Sequence, residues 1–221
     1  PTKPFALMAP DLETIESFAD VSDAEREALE TVRRPIVLLE QSADGSAENW
    51  LDEIAPGLHT VGVMLPYSGL HHRLFDHVDG PLVMTSANLP GRPMATTKDA
   101  ILTRLGDVID AALVHDREIV ARSDDSVVRF SGGERRFIRR SRGWVPEELP
   151  LPGGAPERPV LAVGAEFDAT IAVTQDDVVI PSQFVGDVDN PSTVAFLRET
   201  IDHLTDRTGV EPRTVACDMH P

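Results

Sequence analysis

Cysteine is all but missing. Cys217 stands alone among 221 residues, which excludes an internal disulfide framework and any cysteine-cluster zinc site built from this chain by itself. Lysine is nearly as scarce: the 20 basic residues divide into two lysines, Lys3 and Lys98, and eighteen arginines, against 37 acidic residues and a net charge of −17. So acidic a chain lacks the cations whose counterion release drives binding to phosphate backbones, and nucleic acid is a disfavoured partner. A lysine-poor, aspartate-rich surface suits high salt, where self-repulsion is screened. No window approaches the roughly 18 to 20 apolar residues of a membrane span, and no basic-then-apolar leader opens the chain. The expectation is a soluble, cytoplasmic protein with no membrane partner. With Pro1 at its start and a mid-pattern stop at His220-Pro221, the chain reads as a piece of something longer.

What is present alternates between helix and strand periodicity. Leu12, Ile15, Phe18 and Ala19 share a helical face behind a capping Asp11, and a second helix starts at Ser22 or Asp23 and stops before Arg33-Arg34-Pro35. Ile36 to Glu40 and Thr60 to Pro66 read as buried strands, with a short helix at Trp50 to Ile54 between them. His71 and His72 invite a metal reading, but neighbours on a helix diverge by about 100°, so exposed or capping roles are expected. Pro81 to Pro93 is a short apolar run ending in Thr85-Ser86-Ala87-Asn88 and a Pro-Gly turn, a strand delivering a polar loop. Such junctions are where ligands sit in α/β proteins, although these residues also form ordinary turns.

An amphipathic helix follows, opened by Thr96 or Thr97, and then the pattern turns to β. Strands are expected at Ala111 to His115, at Asp124 to Phe130 and, after a Gly132-Gly133 turn, at Arg136 to Arg140. Arg135, Arg136, Arg139, Arg140 and Arg142 crowd this last strand. Strand alternation sends one set to solvent and the other toward a cleft, where arginine's planar fork suits phosphate. The Pro/Gly-rich stretch from Pro146 to Pro159 is the clearest boundary in the sequence. Beyond it come three antiparallel strands, a helix over Ser192 to Arg207 capped by Asn190 or Ser192, and a buried parallel strand at Thr214 to Asp218. The order β-β-β-α-β is how actin-like ATPase domains open.

Several of these stretches together resemble a known family. Thr85-Ser86-Ala87-Asn88-Leu89-Pro90-Gly91-Arg92-Pro93 looks like the Ser-x-Asn nucleotide signature of YrdC-like domains. Joined with Lys3-Pro4-Phe5-Ala6-Leu7-Met8, Gly62 to Tyr67, Leu70-His71-His72, Asp124 to Arg129 and Arg139 to Pro146, it resembles the HypF family of carbamoyltransferases of [NiFe]-hydrogenase maturation. Val163 to Glu166, Ser182 to Asp187, Asp189-Asn190-Pro191 and Ala216 to Pro221 are similar to the start of that family's C-terminal transferase domain.

The resemblance implies an α/β fold: a YrdC-like twisted mixed sheet with flanking helices, then the opening β-β-β-α-β of an actin-like (ribonuclease H-like) ATPase domain. It implies a YrdC-like adenylation domain over residues 1–150, a Pro/Gly linker over 151–158, and the beginning of a transfer domain over 159–221. ATP and Mg²⁺ are the implied cofactors, with Thr60, Ser86, Asn88 and Ser126 on phosphates or ribose, and Lys3, Arg139 and Arg142 neutralising charge. No catalytic residue is assigned. The implied partners are carbamoyl phosphate or carbamate and a HypE-type protein whose C-terminal cysteine accepts the carbamoyl group. Zinc belongs to an N-terminal region of the family that this sequence does not contain. Asp218 and His220 form a candidate metal pair, balanced by the plain reading of a strand-end aspartate and a chain-end histidine.

Two alternatives stand beside this reading. One is the related threonylcarbamoyl-adenylate synthase of tRNA modification, which resembles the chain in fold. That family holds threonine with an arginine and a histidine whose places fall here on Met64 and Met8, and a thioether cannot supply a carboxylate's paired donors. The other is a non-catalytic binding fragment.

Overall fold

The computed structural model describes residues 4–42 and 50–219. The chain divides into two compact units, Pro1–Thr85 with Asp125–Gly143, and Ser86–Asp124 with Trp144–Pro221.

The first unit is built on six strands, β1 (Ala6–Met8), β2 (Ile36–Glu40), β3 (Thr60–Met64), β4 (Leu82–Met84), β5 (Val127–Ser131) and β6 (Glu134–Arg139). Their order is β4-β1-β3-β2-β5-β6, a mixed sheet in which β1 and β3 run parallel, as do β2 and β5. Helices α1 (Leu12–Glu16), α2 (Asp23–Glu30) and α3 (Trp50–Ile54) contribute to the main core. The caps follow the sequence. Asp11 accepts the Thr14 amide at 2.8 Å, and Ser22 with Glu25 closes a reciprocal capping box ahead of α2.

Strand alternation gives this sheet two unlike faces. Leu7, Val37, Leu39, Val61, Val63 and Val128 point into the core with Ile15, Phe18, Leu29 and Leu51 from the helical segments. Full burial of each large aliphatic side chain is worth about 1.5–3 kcal/mol, so this face holds the unit together. Ala6, Met8, Ile36, Met64, Met84 and Val127 gather in a smaller cluster on the other face, covered in part by Phe75. Phe75 is the C-cap of α4 (Gly69–Leu74), itself capped by Ser68 at its N-terminus.

The second unit contains α5 (Lys98–Leu105) and a five-stranded sheet of β7 (Leu149–Pro150), β8 (Val160–Val163), β9 (Ile171–Gln175), β10 (Val178–Pro181) and β11 (Thr214–Cys217), ordered β11-β8-β9-β10-β7. Helix α6 (Pro191–Thr208) packs Leu204 with Leu197 and Ile201 onto Leu161, Ile171, Val173 and Ile180. The expected β-β-β-α-β order is present as β8-β9-β10-α6-β11. Leu149 and Pro150, within the proline-rich stretch, pair with β10.

Two expectations fail here. Residues 111–115 form no strand, and Leu113 is 79% exposed; alternation alone makes no strand where no neighbour supplies the ladder. Strand β11 does run parallel to β8, but it is an edge strand with every residue exposed rather than a buried one. Among the described residues no helix is long and apolar enough to cross a membrane.

Candidate functional site

The second face of the first sheet carries several of the residues singled out from the sequence. Register places Thr60 opposite Glu40, Gly62 opposite both Leu38 and Ala6, and Met64 beside Met8, so Thr60, Gly62 and Met64 line one face. Val127 pairs with Arg139 and Arg129 with Arg136 on that same face, after a bulge next to Val127 resets the alternation. Arg135 turns the other way and lies over the Phe137 ring at 5.2 Å. The arginine-rich strand therefore splits between the two faces, but the bulge rather than simple alternation sets Arg139 beside Arg136 instead of Arg135. Arg129, Arg136 and Arg139 form a cationic strip along the face whose middle is methionine and small aliphatic side chains. Arg136 is exposed and pairs with Glu134 at 2.5 Å.

Ser126 and Arg142 sit at the edge of this face, and both are heavily bonded. The Ser126 hydroxyl has no exposure; it accepts the Ser141 amide at 2.8 Å and donates to the Arg142 carbonyl at 2.9 Å. The Arg142 guanidinium donates to Asp125 at 2.7 Å, to the Arg33 carbonyl at 2.9 Å and to the Arg34 carbonyl at 2.8 Å, and stacks over the Tyr67 ring at 3.7 Å. Gly143 makes that approach possible. At φ +89°, an added Cβ would lie 2.9 Å from Arg33 Cβ and 3.2 Å from its Cα. These contacts tie the turn after α2 to the strand that starts at Val127.

Tyr67 and His71 extend the cluster. Their rings meet edge to face at 4.4 Å across the Ser68 cap, and His71 lies four residues before Phe75, on the α4 face that covers the methionines. His71 is half-buried and its Nδ1 is buried with no hydrogen-bond partner among the described residues, while His72 is exposed. The expected exposed or capping role thus fits His72 but not His71, because Ser68 performs the capping and the ring turns inward. Burial pushes the His71 imidazolium pKa below its ordinary value of 6.5, opposed by Asp125 and reinforced by Arg142 and His72. Burial likewise raises the Tyr67 phenol, with Asp125 raising it further and Arg142 opposing. A neutral imidazole with an unused ring nitrogen can accept or donate one hydrogen bond, according to its tautomer.

The Ser86–Asn88 loop belongs to the second unit. Ser86 donates its hydroxyl to the Asn88 side-chain oxygen, the Asn88 amide reaches the Ser86 carbonyl at 2.9 Å, and the Ala95 amide closes the loop on the Ala87 carbonyl at 2.9 Å. Ser86 is exposed and Asn88 half-exposed. Lys3 and His220 lie outside the described residues, and Asp218 is exposed. Tyr67, His71 and Asp125 were not picked out as site residues from the sequence. The i, i+4 spacing of Tyr67 and His71 across a capping serine was the available signal.

Comparison with known proteins follows the same division. Residues 1–141 match the Sua5/YciO/YrdC family model, described as "Telomere recombination", and residues 155–221 match the HypF Kae1-like domain. The probable carbamoyltransferase HypF of Methanocaldococcus jannaschii is 40% identical over 222 residues, covering 100% of this chain and 28% of that protein. The carbamoyltransferase HypF of Rhizobium leguminosarum is 41% identical over 226 residues, covering 99% of this chain and 29% of that protein. The chain thus spans less than a third of the length of these relatives.

Among solved structures, full-length HypF in a phosphate- and nucleotide-bound form matches with a TM-score of 0.92 at 38% identity, over 99% of this chain and 34% of that one. HypF of T. kodakarensis matches at 0.92 and 44% identity, over 100% of this chain and 28% of that one. P. abyssi Sua5, solved with L-threonine, matches at 0.52 and 16% identity over 99% of this chain and 75% of that one, a likeness of fold alone. The chain belongs to the Sua5/YciO/YrdC family through residues 1–141, and residues 155–221 are similar to the Kae1-like domain of HypF proteins.

Proposed function

We propose that this chain contributes the carbamoyl-adenylating part, and the start of the transfer part, of a HypF-type carbamoyltransferase. The observation that carries the reading is the pairing of Met8 with Met64. Both are buried, at 0% and 2% exposure, and they pack with Ala6, Ile36, Met84 and Phe75. A floor of thioethers and methyls offers nothing to a second carboxylate or an ammonium, whereas it tolerates a small uncharged carbamoyl group.

In the proposed reaction a carbamate oxygen attacks the α-phosphorus of ATP, the bond from that phosphorus to the β-phosphate bridging oxygen breaks, and pyrophosphate leaves. Carbamoyl-adenylate is the product. Positioning and charge stabilisation suffice for such a step, with no protein nucleophile. Arg139 and Thr60 lie on the same face of the sheet, and in this reading Arg139 neutralises phosphate charge while Thr60 adds a hydroxyl. Ser86 and Asn88 offer a hydroxyl and an amide to phosphate oxygens, and Lys3 adds a charge in the reading by resemblance. Mg²⁺ fits as an ion held by phosphate oxygens, where it offsets charge as pyrophosphate departs. Ser126 and Arg142 have their side chains committed to protein partners, which supports a framework role for both. Carbamoyl phosphate as the source, the C-terminal cysteine of a HypE-type protein as the acceptor and cyanide-ligand synthesis as the outcome are the finer parts of the proposal. They draw on the HypF relatives.

The test is ATP–pyrophosphate exchange by this chain at high salt, with ammonium carbamate or with threonine plus bicarbonate. Exchange dependent on carbamate is expected. Exchange that requires threonine would sink the reading in favour of a threonylcarbamoyl-adenylate synthase, and no exchange with either donor would leave a binding fragment.

A further inference from the structure

The Ser86–Asn88 loop does not stand free. Its turn residue Gly91 offers a carbonyl that accepts the Asn190 side-chain amide at 2.9 Å, and Arg92 donates to the Ser192 hydroxyl at 2.7 Å and to Asn190 Oδ1 at 3.3 Å. Farther along, Arg122 Nε holds the Met94 carbonyl at 2.8 Å. The same guanidinium pairs with Glu199 at 2.5 Å and lies over the Phe196 ring at 4.9 Å. All four α6-side partners, Asn190, Ser192, Phe196 and Glu199, cap or lie on one helix. Asn190 is its N-cap, accepting the Ser192 and Thr193 amides at 3.1 and 3.2 Å.

One asparagine therefore closes the helix and holds the loop. Its Oδ1 serves the capping amides while its Nδ2 reaches the Gly91 carbonyl, so the loop is referenced to the first turn of an 18-residue helix. Arg122 adds a second anchor at Met94, three residues beyond Gly91, with its side chain only 17% exposed. A polar loop whose C-terminal side is held twice in this way loses less further freedom when a ligand arrives, which raises affinity.

We infer that Arg92 and Arg122 are positioning residues that couple the Ser86–Asn88 loop to α6, so that the helix following the three strands of the C-terminal domain sets the nucleotide affinity of the loop. The loop anchoring rests on geometry alone. Its effect on nucleotide rests on the adenylation reading above. By linkage, nucleotide at the loop must stabilise the Asn190 cap as much as the cap stabilises nucleotide.

The experiment uses the 221-residue chain with Arg92→Ala, Arg92→Lys, Arg122→Ala, Ser192→Ala and the Arg92→Ala/Ser192→Ala pair. Amide hydrogen exchange of residues 86–95 is measured without ligand, ATP affinity is measured by calorimetry, and melting temperature is followed in parallel. Exchange in the loop should quicken and ATP affinity fall about three- to tenfold in the alanine variants at unchanged melting temperature. The pair should lose no more than either single change, and Arg92→Lys should recover part of the loss. If the unaltered chain binds ATP and Arg92→Ala and Ser192→Ala bind it equally well, the coupling is wrong. If the unaltered chain binds no ATP, hydrogen exchange decides alone: faster loop exchange upholds the anchoring and fells only the adenylation reading, and unchanged exchange overturns both.

Discussion

Ser126 shows how a hydroxyl in a promising stretch can be occupied by the fold itself. Its Oγ has no solvent access and bridges the Ser141 amide and the Arg142 carbonyl, so Ser126→Ala removes the partner of a buried N–H and of a part-buried C=O. Each such group costs about 1–3 kcal/mol, and a loss in that range should appear in urea unfolding. Gly143 makes a second case. Gly143→Ala meets both a left-handed backbone and the Arg33 main chain, and should cost at least about 1–3 kcal/mol by the same measurement.

His71 gives a pH-dependent case. Its pKa lies below 6.5 in the folded chain because burial disfavours the charged ring. The unfolded chain then binds a proton that the folded chain refuses, so stability is lost as pH falls from 6.5 to the depressed value and not above it. Nuclear magnetic resonance titration of the ring should find the lowered midpoint, and His71→Phe should flatten that part of the stability profile. The inward turn of His71 was hard to read from sequence, since it depends on Ser68 taking the cap and on Tyr67 meeting its ring.

Elements whose reasons are local were legible. Asp11, Ser22, Thr97 and Asn190 cap their helices as the sequence indicates, because a short polar side chain ahead of an apolar-periodic run has one good use. Asp11→Ala should cost about 1 kcal/mol at neutral pH. Hydrogen bonds from the Thr14 amide and hydroxyl hold the Asp11 carboxyl below its ordinary 3.8. Its contribution is therefore complete above 3.8, declines as pH falls toward the depressed value, and is gone below it. Acid titration of both proteins by circular dichroism should show the curves converging there.

Elements whose reasons are distant were not legible. Residues 111–115 carry the alternation of a strand and β11 the composition of a buried one, yet sheet membership and cover depend on neighbours that sequence spacing does not specify. The candidate site follows the same rule. The arginine-rich strand and the Ser86–Asn88 loop announce themselves by composition. The clasp of Arg142 on the Arg33 and Arg34 carbonyls, and of Arg92 on Ser192, joins residues about a hundred positions apart.

At the scale of the whole chain, charge is the dominant feature. With a net charge of −17, repulsion among carboxylates opposes the compact state and is screened over about 8 Å at physiological ionic strength and about 3 Å at 1 M. The urea midpoint should rise as potassium chloride is raised from 0.1 to 1 M. A midpoint that falls or stays level would mean that ion pairs such as Arg73–Asp76 and Arg142–Asp125, which salt weakens, outweigh the repulsion.

Strand β11 bears on how the 221-residue chain behaves at high concentration. Paired with β8 on one side only among the described residues, and exposed along its whole length, it presents a row of amide and carbonyl groups at the rim of the second sheet. Such a rim is a template for another extended segment. Thr214, Val215, Ala216 and Cys217 offer it no lysine, proline or inward charge as a guard. Held at high concentration, the 221-residue chain would self-associate first along this edge.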